Sequence, residues 1–355
     1  MSIATPSRLV TGGVDTHSNT HHAAAIDHVG RLLGTREFGA DEAGYRQLLA
    51  WLRSMGELSL VGVEGTGAYG AGLTRHLRRH DIQVIEVNRP DRQARRTRGK
   101  SDPLDAENAA RRALAGQERI IPKDTTTIVE PIRLLHLTRN GAIKARTAAY
   151  NQIKDLIITV PDQLREQLRG KTLQRVAAEA SLFDADGAVL TDPEDATRAA
   201  LRSIAHRIEA LNQEITALDR QLKTIVTKAA PSTLELPGVG IINAAQLLIT
   251  AGGNPDRLRT EGSFAALCAA CPIPASSGKT TRHRLNPGGD REANRALFLI
   301  GISRLRHCPR TQAYIAKRQA DGLSKREAIR CLKRYIARET YHAILDDLHH
   351  TLDSL

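Results

Sequence analysis

The 355-residue chain carries 51 Lys and Arg against 39 Asp and Glu, a formal charge of +12, and that excess points to a polyanionic partner, nucleic acid first. No apolar stretch approaches the roughly 18 residues of a membrane span and no charged-then-apolar leader opens the chain, so the expectation is a cytosolic protein with no membrane partner. Four cysteines (Cys268, Cys271, Cys308, Cys331) are too few for a disulfide scaffold of this size, and the length is comfortable for two or three domains.

From residue 8 to 64 the pattern is strand-like: "RLVTGGVD", "HAAAIDH" and "RLLGTREF" are short runs separated by turn signals. A helical stretch from Asp41 to Met55 follows, then the apolar run "LSLVGVEG", a second helical stretch from Tyr69 to His80, and "IQVIEV". Three close strands, then helix, strand, helix, strand, helix is the order of a ribonuclease-H-like α/β domain. From about 128 to 229 helical periodicity takes over. Leu201, Ile204, Ile208, Leu211, Ile215, Leu218, Leu222 and Ile225 follow steps of three or four, the apolar seam of an antiparallel hairpin or of a dimerising coiled coil. "FDADGAVLTDPED" at 183–195 reads as the turn between long helices, and Pro231 ends the second.

The last region begins at "LELPGVG", 234–240, and runs as helices and basic loops. Pro-Gly-Val-Gly between helices reads either as a DNA-facing helix–hairpin–helix turn or as a plain connection, and the basic surroundings favour the former. Cys268 and Cys271 form C-x-x-C, but Cys308 and Cys331 lie 23 residues apart, so buried cysteines on a helix "SFAALCAAC" are a better reading than a zinc site.

The carboxylates carry the chemistry. Asp15 follows the first strand and Glu64 ends the fourth, and these strands are neighbours in a ribonuclease-H-like sheet. "KSDPLDAENAARRAL" adds Asp102 and Asp105, three apart and therefore on one helix face. Four convergent oxygen ligands suit Mg²⁺ or Mn²⁺ and a phosphoryl-transfer centre. Asp102 before Pro103 also reads as an N-cap, with Asp105 favoured by the helix dipole, and capping and metal binding are compatible. His17, His21 and His22 show no metal-ligand spacing and read as phosphate-side or solvated residues.

Two stretches supply positive charge. "RPDRQARRTRGK" at 89–100 contains Arg92, Arg95, Arg96, Arg98 and Lys100 immediately before Asp102, either a phosphate-holding run or a solvated face. "CPIPASSGKTTRHRLNPGGDREANRALF" holds Ser276 and Ser277 beside Gly278, with Lys279, Arg282 and Arg284 around them and Arg291 and Arg295 on the next helix. "SGKT" lacks the upstream glycine and strand of a nucleotide-binding loop. A serine hydroxyl among guanidinium groups suits attack on a DNA phosphate; a flexible basic loop is the bland alternative.

"GVDTH" with Asp15, "VEGTGAYG" with Glu64, "KSDPLDA" with Asp102 and Asp105, "LPGVG", and P-x-x-x-x-S-G from Pro272 to Gly278 resemble, in order and over nearly the whole chain, the IS110 insertion-sequence transposases, relatives of the Piv DNA invertase. The resemblance implies a RuvC-like DEDD catalytic domain over 1–125, an all-α coiled-coil region over 126–230, and a mainly α transposase domain over 231–355. It places Asp15, Glu64, Asp102 and Asp105 as metal ligands for Mg²⁺ (or Mn²⁺), and Ser277 as nucleophile, with Ser276 the alternative. It implies guidance by a structured bridge RNA, target and donor DNA as substrates, action as a dimer or a dimer of dimers, and a nucleoid-associated bacterial protein. In the composite mechanism Ser277 attacks a phosphodiester and a covalent link preserves the bond energy, with the metal assisting. The rivals are a metal-dependent junction nuclease or a site-specific DNA invertase, and a non-catalytic nucleic-acid-binding protein.

Overall fold

The computed structural model describes residues 8–87, 101–116, 120–184, 191–276, 278, 283–284 and 286–353. Of the sequence-derived candidates, Arg92, Arg95, Arg96, Arg98, Lys100, Ser277, Lys279 and Arg282 lie outside the described residues. The chain divides into two compact units, one running up to Thr127 together with Ala251–Thr260, the other comprising Ile128–Thr250 and Glu261–Leu355. Among the described residues no helix is long and apolar enough to cross a membrane.

The first unit is built on β1 (Leu9–Thr16), β2 (Thr20–Asp27), β3 (Leu32–Gly39), α1 (Glu42–Ser54), β4 (Glu57–Glu64), α2 (Ala71–Arg79), β5 (Gln83–Val87) and α3 (Asp102–Leu114). The sheet order is β3-β2-β1-β4-β5, with β1 antiparallel to β2 and parallel to β4, and β4 parallel to β5. This topology fits the ribonuclease-H-like reading. The central strand β1 is covered on both faces, and its two-residue alternation separates them. Val10 and Val14, with Val61 and Val63 of β4, pack against Leu48, Leu49 and Leu52 of α1 and Leu73 and Leu77 of α2.

The opposite face is flattened by glycine so that α3 can lie on it. A Cβ at Gly13 would come within 2.2 Å of both the Ala106 carbonyl oxygen and the Ala110 nitrogen, and one at Gly62 within 2.6 Å of the Ala109 oxygen. The helix answers with Ala106, Ala109, Ala110 and Ala113, all buried and at the three-and-four spacing of one helix face. Backbone therefore packs on backbone, and the start of α3 is held over the ends of β1 and β4. The returning segment 251–260 joins this unit: the Arg257 guanidinium donates to the carbonyls of Ile121 (3.2 Å) and Ala251 (2.9 Å), while Asn254 Oδ1 accepts from the Asp124 nitrogen at 3.0 Å.

The second unit is mostly helical. It contains α4 (Val129–Thr159), α5 (Asp162–Leu168), α6 (Leu173–Ala180), α7 (Pro193–Ala229), α8 (Pro231–Glu235), α9 (Ile241–Ala251), α10 (Glu261–Leu267), the ribbon β6 (Ile273–Pro274) and β7 (His283–Arg284), then α11 (Arg291–His307), α12 (Pro309–Ala320) and α13 (Lys325–Asp353). Helices α4 and α7 pair within the chain. Arg139 bonds Asp219, Arg146 Nη1 donates to Asn212 Oδ1 at 2.8 Å, and Arg207 donates to Gln152; partners descend as positions ascend, so the pair is antiparallel. Of the expected seam, Leu201, Ile208, Ile215, Leu218 and Leu222 are buried, while Ile204, Leu211 and Ile225 are half-buried.

Two buried or part-buried carboxylates tie the helical elements together. Asp347 of α13, 1% exposed, accepts from the Ser232 and Thr233 nitrogens (2.8 and 3.0 Å) and from Thr233 Oγ1 (2.6 Å) at the start of α8. Asp290 caps α11 through the Glu292 and Ala293 nitrogens (2.9 and 3.2 Å) and accepts from Thr250 Oγ1 of α9 at 2.7 Å. The helix expected over "SFAALCAAC" stops at Leu267, and Ala269 takes a left-handed φ of +52°. Cys268 is buried after that stop, whereas Cys271 is half-buried and its Sγ accepts from Arg334 Nη1 at 2.9 Å.

Candidate functional site

The small-residue seam decides where the acidic side chains meet. Gly13 pairs with Gly62 across the parallel β1–β4 ladder, and both face α3. Asp15 and Glu64 stand two residues further along each strand, hence on the same face. With α3 seated on those glycines, its first turn brings Asp102 and Asp105 to that strand edge. Thr16 Oγ1 donates to the Glu64 carbonyl at 2.8 Å, locking the two strand ends together.

Asp15 is 6% exposed and Asp105 5% exposed, with Asp102 and Glu64 half-exposed. His17 enters the same cluster: its Nε2 lies 3.3 Å from Asp15 Oδ2 and 3.6 Å from Asp102 Oδ1, and the three ligand atoms fall within 4.8 Å of one another. Burial pushes the Asp15 carboxyl above its ordinary value; His17 pulls it down, and the charges of Asp105 and Asp102 push it up again. His17 Nε2 is buried with no hydrogen bond of good geometry. Crowded carboxylates that repel one another, with an imidazole nitrogen within 3.6 Å of two of them, form a donor set that fits a divalent cation.

Two of the sequence-derived expectations change here. Asp102 is not the N-cap: Ser101 is the extended residue before the helix (φ −146°, ψ 144°), Asp102 opens the helix and Pro103 follows. Its carboxylate therefore points at His17 rather than at its own helix nitrogens. The histidines are not uniformly solvated. His21 is fully buried and stacks on Tyr45 (5.6 Å between ring centres, 7° between planes), and His17 sits among the carboxylates; only His22, half-buried with Nδ1 3.9 Å from Glu37 Oε2, keeps an outward partner. The signal for His17 was its position two residues beyond Asp15, which on an extended chain is the same face.

Of the serine segment, the described residues are Ser276 and Gly278 and the ribbon β6–β7 from which the segment extends, where Ile273 pairs with Arg284 and Pro274 with His283. Arg284 and Arg291 are exposed, the latter at the first position of α11. The turn Pro237–Gly240 joins α8 to α9, and the Pro237 carbonyl accepts from buried Arg304 Nε at 2.6 Å. The part of this region that sequence reasoning missed is a cavity of about 960 Å³ beside the ribbon, which contains the buried Lys333.

Residues 12–160 match the family profile of the IS110 DEDD transposase domain, and residues 231–316 match that of the transposase IS116/IS110/IS902 family. Among curated relatives, the insertion element IS110 uncharacterized 43.6 kDa protein of Streptomyces coelicolor is 28% identical over 135 residues, 37% of this chain and 33% of that relative. The insertion element IS900 uncharacterized 42 kDa protein of Mycobacterium paratuberculosis is 22% identical over 375 aligned positions, 92% of this chain and 93% of that relative. The chain thus spans about a third of the first relative and nearly all of the second. A DEDD transposase domain implies divalent-metal use, and the clustered acidic residues with His17 would hold the ion. With an N-terminal sheet that gathers acidic side chains inside the first matched region and a helical C-terminal part that carries the second, the chain belongs to the IS110 family of DNA transposases.

Proposed function

We propose that the protein cuts and rejoins DNA at the ends of an insertion element, guided by a structured bridge RNA that pairs with target and donor DNA. The observation that carries the reading is the meeting of Asp15, His17 and Asp102 at the edge where β1 and β4 end, with Asp105 buried on the same helix. Asp15, Glu64, Asp102 and Asp105 would hold Mg²⁺, or Mn²⁺ in its place, and the cation would supply neutralisation of charge on phosphate oxygens. Asp15 and Asp102, whose carboxylate oxygens lie 3.3 and 3.6 Å from His17 Nε2, would hold the ion together with that imidazole, and the buried Asp105 would complete the acidic set.

Ser277 is the attacking group in this reading. Its Oγ forms a bond to phosphorus as one deoxyribose oxygen leaves; the hydroxyl proton departs and the leaving oxygen takes a proton, so the phosphodiester energy is kept in a serine ester and no ATP is consumed. Arg284 and Arg291, with Lys279 and Arg282 in the same segment and Arg92, Arg95, Arg96, Arg98 and Lys100 before α3, hold phosphates of DNA and RNA. The protein acts as a dimer or a dimer of dimers at the bacterial nucleoid, through a DEDD domain over 1–125, a helical region over 126–230 and a transposase domain over 231–355.

The test is covalent capture. Protein, bridge RNA, Mg²⁺ and a nicked suicide DNA should yield a protein–DNA adduct that survives denaturation. Ser277→Ala abolishes it and keeps RNA binding, whereas Ser276→Ala retains it. Cleavage without any adduct identifies a junction nuclease, and an adduct that persists in the double serine variant sinks the serine mechanism.

A further inference from the structure

The cavity of about 960 Å³ lies wholly in the helical unit, between the ribbon β6–β7 and helices α12 and α13. Its volume is at the upper end of the roughly 300–1,000 Å³ of pockets that enclose a ligand. Cys271 and Pro272 lead into the ribbon that bears the serine segment, His283 lies on it, and Tyr314, Lys333 and Tyr335 come from the helices.

Lys333 is the anomaly. It is 6% exposed, and its Nζ donates to Asn294 Oδ1 at 2.7 Å. The Asn294 amide is fixed in that sense, because its Nδ2 donates to the Ala269 and Cys268 carbonyls at 2.7 and 3.2 Å. No carboxylate lies within ion-pair distance of Lys333 among the described residues. An ammonium has three hydrogens to place, so a single neutral acceptor leaves a buried charge badly compensated. Its neighbours deepen the deficit: Arg330 and Arg334 also line the cavity, neither with a carboxylate partner among the described residues, and the acidic residue there, Glu327, is engaged by the Ser324 nitrogen and hydroxyl at 2.9 and 2.6 Å. Burial, and then the charge of Arg330, push the Lys333 pKa down. A cavity that lines up a buried Lys333 with a half-buried Arg334 and an exposed Arg330 at its edge carries surplus positive charge suited to an anion.

Its other lining narrows the choice. Tyr335 is 50% exposed and meets Tyr314 in a T-shaped ring pair, 5.4 Å between centres, and its exposure leaves aromatic surface open to a planar group. Phosphates beside a free aromatic ring match an unstacked nucleotide strand, whereas a duplex keeps its base faces covered. We propose that this cavity is a subsite for a short single-stranded stretch of DNA, its phosphates on Lys333, Arg330 and Arg334 and a base on Tyr335. The inference rests on the DNA-joining reading above and deepens it: strand exchange has to part the two strands beside the cut, and the ribbon carrying the serine segment forms one wall of the cavity.

Fluorescence anisotropy of the full chain with 5′-fluorescein hexathymidylate tests it. Lys333→Met and Tyr335→Ala should each weaken binding about tenfold, the loss of one phosphate contact or one stacked base, whereas Lys223→Met, removing an exposed charge from α7, should change it less than twofold. Lys333→Met should also keep or raise the unfolding temperature, because it removes a buried charge; that separates a ligand role from a structural one. Binding within twofold of wild type in both cavity variants overturns the proposal, as does loss confined to a hexauridylate RNA probe. If the wild type cuts and joins DNA while both variants bind hexathymidylate normally, the subsite fails and the transposase reading stands. If both variants lose binding tenfold and the wild type never cuts DNA, the subsite stands and the DNA-joining reading fails.

Discussion

Replacing Gly13 by alanine tests whether the acidic cluster depends on how closely α3 sits on the sheet. The added Cβ would lie 2.2 Å from the Ala106 oxygen and the Ala110 nitrogen, whereas non-bonded atoms rest about 3.5 Å apart, so α3 has to retreat by about 1.3 Å. Both obstacles are backbone atoms, so no rotamer change relieves them. Overpacking of this kind costs about 3 kcal/mol in guanidinium unfolding. The same retreat carries Asp102 and Asp105 from Asp15, and a displacement of about 1 Å costs roughly a hundredfold in turnover when reacting groups must be held in register. Mn²⁺ binding followed by electron paramagnetic resonance, with DNA cleavage alongside, reads the second effect apart from the first. Gly141→Ala is the control: Gly141 lies inside α4 on its exposed side with nothing within 4 Å of where a Cβ would stand, and alanine there should stabilise by about 0.5–1 kcal/mol. A Gly13→Ala protein that unfolds within about 0.5 kcal/mol of wild type, near the noise of surface substitutions, and binds Mn²⁺ as tightly would refute the packing argument.

His17→Ala should lower Mn²⁺ affinity about 10- to 100-fold, the effect of removing a group that orients carboxylate ligands, and calorimetric titration returning the wild-type constant would exclude His17 from the centre. Asp347→Ala should destabilise by about 3 kcal/mol, because it strands the buried Thr233 nitrogen and hydroxyl and the part-buried Ser232 nitrogen; a midpoint shift worth less than about 1 kcal/mol would mean that water or a neighbour replaces the carboxylate. His136 is buried and its pKa is lowered, first by burial and then by Arg139, so the unfolded chain takes up its proton before the folded one does. Stability is then complete above the ordinary histidine value near 6.5 and is lost as pH falls through it; His136→Gln should flatten the dependence of unfolding free energy between about pH 7 and 5, and an unchanged slope would assign it to other groups.

Strand order, the helices between the strands and the acidic residues at their ends were legible in the sequence, because two-residue alternation, three-and-four spacing and glycine punctuation are local properties of the chain. The apolar seam from Leu201 to Ile225 was legible for the same reason, but not its partner within the chain, which the pairings of Arg139 with Asp219 and Arg146 with Asn212 identify as α4. Only the capping half of the Asp102 reading changed: a proline at the next position is compatible with either an N-cap or a first helical residue, and the backbone angles of Ser101 make Ser101 the cap. His17 and Lys333 depended on tertiary structure altogether. His17 meets Asp102 only because alanines of α3 lie directly on Gly13 and Gly62, and Lys333 is enclosed only because α13, α11 and the ribbon close around it. A sequence states which side chains share a face of one element; which faces meet, and how much water is left between them, is set by packing across the whole chain, and the electrostatics of a buried charge follow from that alone.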